Sequence, residues 1–312
     1  MMRPRLNAIR HWLLAAAGSL MLTGCFTGVE STPRISAPDA KETASTPEDA
    51  VLQGVGREAT RLWRPGKEFI VTDNRLPIAL GTTVSEAPDL AGKTVRFVRF
   101  DGVRSLTGDS VTDVVFVTPS GKNLNFRVDR APSSLRSSDS PLVVPFTIEA
   151  SIVDEGRKRL QGNTYYLATR LWRDENDQIV GGRTYVPVVI TAVEPGNESL
   201  PIKVYFKETS ADGRSGILLL TPEANAKTPR TFAKQFTIAD PRKRHSNISN
   251  ENWKLITEGR IREGMTAEEC RLALGAPKEI IRANTSSIIR QQWIYEDGRC
   301  PVFEDGIIVR TR

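Results

Sequence analysis

Histidine is nearly absent from this chain, with two among 312 residues. His11 lies in an N-terminal segment that we expect to be removed, which leaves His245 in a polar, basic stretch. One histidine in such a stretch excludes a Ser-His-Asp triad, a Cys-His pair in a defined pocket and an HExxH zinc site. The Gly181-Gly182 pair is too short for a phosphate-binding loop. We therefore expect no enzyme, no catalytic residue, no metal site and no cofactor.

A strong charge of one sign is also lacking. The chain has 43 basic and 37 acidic residues, but the first 24 residues contain three arginines and no acid. Without them the net charge falls from +6 to +3. So mild a balance gives no reason to expect nucleic acid as a partner.

Long apolar runs are missing except for one near the start, at residues 12–22, which is too short to span a bilayer stably. Arginines precede this run: Arg3, Arg5 and Arg10. The residues that end it match the box read by lipoprotein signal peptidase: Leu22, Thr23, Gly24 and Cys25. The pattern predicts a lipoprotein signal peptide over 1–24 and a diacylglycerol anchor on the Cys25 thiol. An ordinary signal peptide with a chance cysteine, or a signal anchor, is the alternative.

The residues after Cys25 indicate where the chain is held. Phe26 stands where an Asp would favour inner-membrane retention, so we expect a cell-envelope protein in the outer membrane. Residues 25–46 are rich in Ser, Thr, Pro and charge and predict a flexible tether of roughly 25 Å. Thr46 and Pro47 then have the pattern of a helix start that stops at Gly54.

Residues 47–245 predict a mainly β region of small barrels or sandwiches. The strand candidates are separated by turn signals and lie at 69–71, 94–100, 114–117, 124–128, 143–144, 165–167, 186–190, 204–206 and 217–220. No long helical periodicity interrupts them. Gly66 and Gly162 each precede an aromatic strand, which favours two tandem β modules at 47–160 and 161–245, the second ending in a linker; chance similarity is the alternative. We expect Pro241 to Asn250 to be solvated.

The pattern changes over residues 246–312, which predict a small α+β domain with the order ααβββ. A first helix ends at Gly259. Thr266 and Glu269 have the spacing of a capping box on the second helix, which Gly275 and Pro277 terminate. Strands are then expected at 288–295, 300–303 and 307–309, with turns at Glu296–Gly298 and Asp305–Gly306.

This last stretch resembles the SmpA/OmlA (BamE) family, small lipoprotein domains of the machinery that assembles outer-membrane β-barrels. The resemblance covers about 60 residues and depends on Gly259, Ile261, Gly264, Met265, Thr266, Glu269, Leu274, Gly275, Pro277, Trp293 and Tyr295. It implies an α/β fold, a periplasm-facing location and protein–protein contacts rather than chemistry. Family members are often little more than this domain and usually have an aliphatic residue where Cys270 stands.

Two cysteines remain after Cys25, and an exported chain meets an oxidising compartment. Cys270 is expected on the buried face of the second helix, and Cys300 at the start of a strand beneath it. This placement predicts a disulfide, which would stabilise the domain by roughly 3–4 kcal/mol. Two unpaired buried thiols are the alternative, and a redox role is disfavoured because no CxxC exists.

Two functions fit these features. The first is a lipid-anchored adaptor or assembly factor that contacts other envelope proteins, with barrel-assembly components as the partners implied by the resemblance. The second is a lipid-anchored binding or inhibitor module for a cell-wall glycan or a hydrolase. For a glycan, stacking residues would be Tyr165, Tyr166 and Trp172, although core packing explains them as easily.

Overall fold

The structure is a computed structural model that describes residues 46–81, 89–104, 110–210, 212–223, 227–284 and 288–311. The described part is mainly β, as predicted, and its strands form three antiparallel sheets. All of these residues belong to one compact unit, 45–312. No helix in the described ranges is long and apolar enough to cross a membrane.

The first sheet has the strand order β4-β3-β2-β1-β5. Its strands are β1 (Glu68–Val71), β2 (Thr94–Arg104), β3 (Ser110–Val117), β4 (Asn123–Val128) and β5 (Thr147–Glu149). Short helices flank it: the 3-10 helix η1 (Thr60–Leu62), α2 (Leu76–Ala79) and α3 (Pro132–Arg136). Helix α1 (Pro47–Ala50) instead lies at the second core, which includes Leu52 just after it. Thr46 caps α1, as the sequence predicts, and forms a capping box with Asp49; the helix ends at Ala50, before the predicted stop at Gly54. Residues 143–144, predicted as a strand, lie in a loop.

An 11-residue helix, α4 (Ala150–Leu160), follows β5 directly, so the prediction that no long helix interrupts this region was wrong. Its buried positions are Ile152, Val153, Gly156 and Leu160. Their spacing is helical, but three basic residues in the last turn obscure the apolar stripe in the sequence. At Gly156 a Cβ would lie 3.2 Å from the Ile202 side chain, which explains the small residue there.

The second sheet has the order β12-β6-β9-β10-β11-β7-β8. Its strands are β6 (Thr164–Leu167), β7 (Leu171–Arg173), β8 (Ile179–Gly181), β9 (Pro187–Pro195), β10 (Ile202–Glu208), β11 (Ser215–Leu220) and β12 (Phe236–Thr237), with α5 (Phe232–Gln235) before the last. Gly66 and Gly162 both have positive φ, 92° and 81°, so the similarity between them extends to the backbone. The strand orders of the two sheets nevertheless differ.

The C-terminal unit has helices α7 (Asn250–Glu258) and α8 (Ala267–Leu274) followed by a sheet of β13 (Glu279–Asn284), β14 (Ile289–Ile294), β15 (Val302–Glu304) and β16 (Ile307–Arg310). The prediction of three strands missed β13. The stretch from Pro241 to Asn250, expected to be solvated, is mostly exposed, but it begins with helix α6 (Pro241–Arg244) and buries Pro241 and Ile248. The Arg242 guanidinium there donates to the carbonyls of His245 and Ile248, both at 2.6 Å.

Each sheet packs on a separate core of buried residues. The C-terminal core also receives Tyr185, which lies between β8 and β9 of the second sheet. The Thr184 N–H donates to the Thr257 carbonyl at 2.9 Å, and the Tyr185 ring centroid lies 5.7 Å from that of Trp253. The C-terminal unit is therefore docked on the second sheet by hydrogen bonds and ring contacts.

Candidate functional site

The candidate site is a groove on the first sheet, which we call the arginine groove. It has a volume of about 350 Å³ and is lined by Thr60, Arg61, Trp63, Arg64, Pro65, Phe97, Val98, Arg99, Phe100 and Arg136. Of the described residues that line the groove, four are arginines and none is acidic. The volume lies at the lower end of the range of ligand pockets, about 300–1,000 Å³.

A β-bulge at Val98 creates the floor of the groove. The pairing of β2 with β3 shifts between Phe97 and Arg99, so Val98 is an extra residue. Phe97 and Phe100 consequently point to the same side of the sheet although they are three positions apart, and both are buried. The Trp63 ring packs against them, with centroids at 5.4 Å and 6.1 Å. The bulge therefore turns a strand surface into an aromatic depression.

The arginines of the rim are all exposed and are held by local acceptors. Arg64 Nη1 donates to the carbonyls of Arg61 and Trp63 at 3.2 Å and 3.0 Å. Arg136 Nη2 donates to the Phe100 carbonyl at 3.0 Å. Arg61 is paired with the carboxylate of Asp139, and Arg99 Nε lies 2.8 Å from the carboxylate of Asp101. Backbone and side-chain acceptors thus orient four positive charges around an apolar floor, an arrangement suited to a ligand that combines anionic and apolar groups.

A buried cation lies behind this floor. Lys67 Nζ is 2.8 Å from Glu149 Oε2 and 2.8 Å from Glu58 Oε2, and it sits 5.7 Å from the centre of the Trp63 ring. The Lys67 side chain is 10% exposed and that of Glu149 3%. Glu149 Oε1 is buried and has no hydrogen-bond partner among the described residues. This pair fixes the end of β5 against the start of β1.

Two other clefts among the described residues are smaller than the arginine groove. The cleft beside Glu149 has about 40 Å³, room for water rather than a ligand, and the one beside Tyr205 about 190 Å³. Within the ranges that the structure describes, no group of three or more His, Cys, Asp and Glu side chains is placed to hold a metal ion.

The predicted lipidation site and signal peptidase box, Leu22 to Cys25, lie outside the described residues. The predicted motif of the C-terminal unit is described in full. Thr266 Oγ1 accepts from the Glu269 N–H at 3.1 Å, and Glu269 Oε2 accepts from the Thr266 N–H at 2.7 Å, which forms the capping box. Gly264 and Gly275 have positive φ, 88° and 84°, at the two ends of this helix. These residues shape the helix and do not line the arginine groove.

The remaining motif residues pack in or beside the C-terminal core. Met265, Trp293 and Tyr295 are buried, and Leu274 packs against them. Pro277 follows the helix and is half-buried. Tyr295 Oη donates to the Gly275 carbonyl at 3.2 Å, which ties the strand β14 to the end of α8. The motif therefore supports the fold of this unit.

The predicted disulfide is not formed: Cys270 and Cys300 are both free thiols. Cys270 Sγ points into the core, 3.7 Å from Tyr295 Oη, and burial raises the pKa of this thiol. Cys300 is half-buried and its Sγ contacts the Gly298 carbonyl at 3.5 Å. The prediction was wrong because Cys300 follows a turn and is directed at that turn's backbone.

The aromatic residues considered for glycan stacking are in the second core. Trp172 is 2% and Tyr165 7% exposed, and Trp172 packs edge-on against Phe206 at 5.4 Å. Core packing therefore explains both, and only Tyr166 is partly exposed. The arginine groove was not predicted from the sequence. Its signal was the segment Arg96–Phe100, where the alternation of polar and apolar residues slips by one position at Val98.

Comparison of the chain with family models, with curated proteins and with solved structures found no match.

Proposed function

We propose that this chain is an outer-membrane lipoprotein of the cell envelope that acts as an adaptor or assembly factor by binding other envelope proteins. The observation that carries the binding role is the arginine groove, whose four oriented charges surround an aromatic floor. Arginine and aromatic residues are the types most enriched among residues that dominate protein interfaces. The lipidation of Cys25 is supported by the basic segment, the short apolar run and the box that ends in that cysteine.

The division of the chain into domains is part of the same proposal. Residues 246–312 form a domain similar to the SmpA/OmlA (BamE) family, and 47–160 and 161–245 form two modules that precede it. Leu52, Ile152 and Leu160 of the first module pack in the core of the second sheet. The first two helices of this domain and its motif residues support the likeness, whereas a sheet of four strands departs from the predicted three. Barrel-assembly components are the partners that this likeness suggests.

Two measurements on the native protein test the proposal. Protein purified from membranes is expected to begin at Cys25 and to carry acyl mass there, and the Cys25→Ser chain to lose both that mass and its place in the outer-membrane fraction. A chain that begins at Met1, or a Cys25 without an acyl group, would refute the anchor.

The second measurement concerns partners. A photo-crosslinking residue in place of Pro65, at the groove, is expected to capture an envelope protein that mass spectrometry identifies. The control position is Glu251, whose side chain is 80% exposed on α7. Equal capture from both positions would contradict the assignment of the groove as the contact site.

A further inference from the structure

The hydrogen-bonding capacity left on the groove rim indicates what kind of ligand fits. A guanidinium has five N–H donors. Arg64 uses one nitrogen, on two backbone carbonyls, and Arg136 uses one nitrogen, on a third. Neither side chain is paired with a carboxylate of the described residues. Both arginines are thus exposed and positioned by backbone acceptors, and these bonds use only part of their donors, which suits an incoming anion.

The other two rim arginines show that carboxylates suit this surface. Arg99 Nε lies 2.8 Å and 2.9 Å from the two oxygens of Asp101, and Arg61 is paired with Asp139. These pairs are exposed, with Asp139 at 82%. Exposed pairs contribute only about 0.2–1 kcal/mol, so a carboxylate from a ligand can exchange with Asp101 or Asp139 at small cost.

The floor of the groove requires an apolar group next to those carboxylates. Phe97, Phe100 and Trp63 form its base and are 3%, 8% and 4% exposed, so the more exposed Pro65 and Val98 supply much of its apolar surface. A volume of about 350 Å³ accommodates one or two side chains rather than a folded domain. A short peptide segment in which acidic and apolar residues alternate presents both kinds of group on an extended backbone.

We propose that the arginine groove binds an extended acidic segment of a partner protein, with carboxylates on Arg64 and Arg136 and an apolar side chain on the aromatic floor. This proposal rests on the proposed adaptor function in one respect: the partner is taken to be an envelope protein. It does not require the anchor, because binding to the groove is measured separately from the acylation of Cys25.

The test uses the detergent-solubilised full chain and a fluorescent peptide of alternating Glu and Leu, read by fluorescence polarisation. The variant Arg64→Gln/Arg136→Gln is expected to weaken binding by at least about tenfold, since it removes two charge-assisted contacts. The matched control is Arg260→Gln/Arg290→Gln, whose arginines are 69% and 59% exposed on the C-terminal unit. We expect the control to bind like the unsubstituted chain.

Three results would overturn the proposal: equal binding of a peptide with Gln in place of Glu, equal weakening in the control, or no detectable binding of the acidic peptide.

Binding to vesicles of phosphatidylglycerol is measured with the same variants. If the groove variant loses vesicle binding but not peptide binding, the occupant is a lipid surface and the peptide proposal is wrong. Arg64→Lys/Arg136→Lys is expected to retain an intermediate affinity, because the charge remains while the planar fork is lost. Thermal unfolding of every variant excludes misfolding as the cause.

Discussion

The first sheet and the junction between the second sheet and the C-terminal unit both hold arginine side chains, but the rim arginines of the first sheet are exposed, whereas Arg170 and Arg299 at the junction are half-buried. In the first sheet Lys67 meets two carboxylates, and Arg61 and Arg99 meet one each. At the junction Arg170 Nη2 donates to the Ala273 carbonyl at the end of α8. Arg299, which also pairs with the Asp297 carboxylate, donates from Nη1 to the Gly259 carbonyl at 2.9 Å.

This difference distinguishes arginines that could bind a ligand from arginines that join two parts of the fold. A carbonyl at a helix C-terminus has no partner within the helix, so an arginine that reaches it satisfies a buried group and joins two elements. Burial and the neighbouring Arg299 lower the pKa of Arg170, as expected of a cation held inside a junction. Arg64 and Arg136 on the groove rim are exposed and pair with no carboxylate of the described residues, so their charge is available to a ligand.

The largest expected effect comes from the buried cation of the first sheet. Lys67→Met leaves Glu149, 3% exposed, without its positive partner and should lower the free energy of unfolding by about 3–5 kcal/mol. Chemical denaturation of the full chain measures it. The matched control is Arg61→Met, which breaks the exposed pair with Asp139 and should cost less than about 1 kcal/mol. Equal costs would show that the pair with Glu149 is not buried in solution.

A smaller effect is expected at the C-terminal junction. Gly259 has φ 68°, and a Cβ there would overlap the Arg170 guanidinium. Gly259→Ala should therefore lower the free energy of unfolding, measured by chemical denaturation, by roughly 1–2 kcal/mol because of the left-handed backbone. Displacement of the hydrogen bond from Arg170 to the Ala273 carbonyl should lower it by about 1–3 kcal/mol more. Gly264→Ala is the matched control, because its φ is 88° and nothing lies within 4 Å of the added Cβ.

A double-mutant cycle sharpens this test. If Arg170 is the cause, Gly259→Ala should cost less in the background of Arg170→Ala, which has already lost the bond. An unchanged cost in that background would show that backbone strain alone accounts for the effect and that Arg170 does not hold the junction.

The features that could be predicted from the sequence are those that depend on residues close together along the chain. Thr266 and Glu269 form their box because cap and carboxylate are three residues apart, and Gly259 ends α7 for an equally local reason. The strand β13 was missed because the Glu-Ile-Ile-Arg segment that opens it does not alternate. The slip in alternation at Val98 is visible in the sequence, but the groove as a whole could not be predicted, since η1, the bulge in β2 and α3 meet only after folding.

The smallest expected effect concerns the thiol that the sequence had placed in a disulfide. Cys300→Ser removes a half-buried Sγ whose contact is the Gly298 carbonyl, so the free energy of unfolding should change by less than about 0.5 kcal/mol. Loss of a disulfide that closes this loop would instead cost roughly 3–4 kcal/mol. In the native chain a thiol reagent should modify Cys300 before Cys270, whose side chain is buried against Tyr295. A large loss of stability, together with two protected thiols, would mean that a disulfide and not the arginine–carbonyl bonds holds the C-terminal unit together.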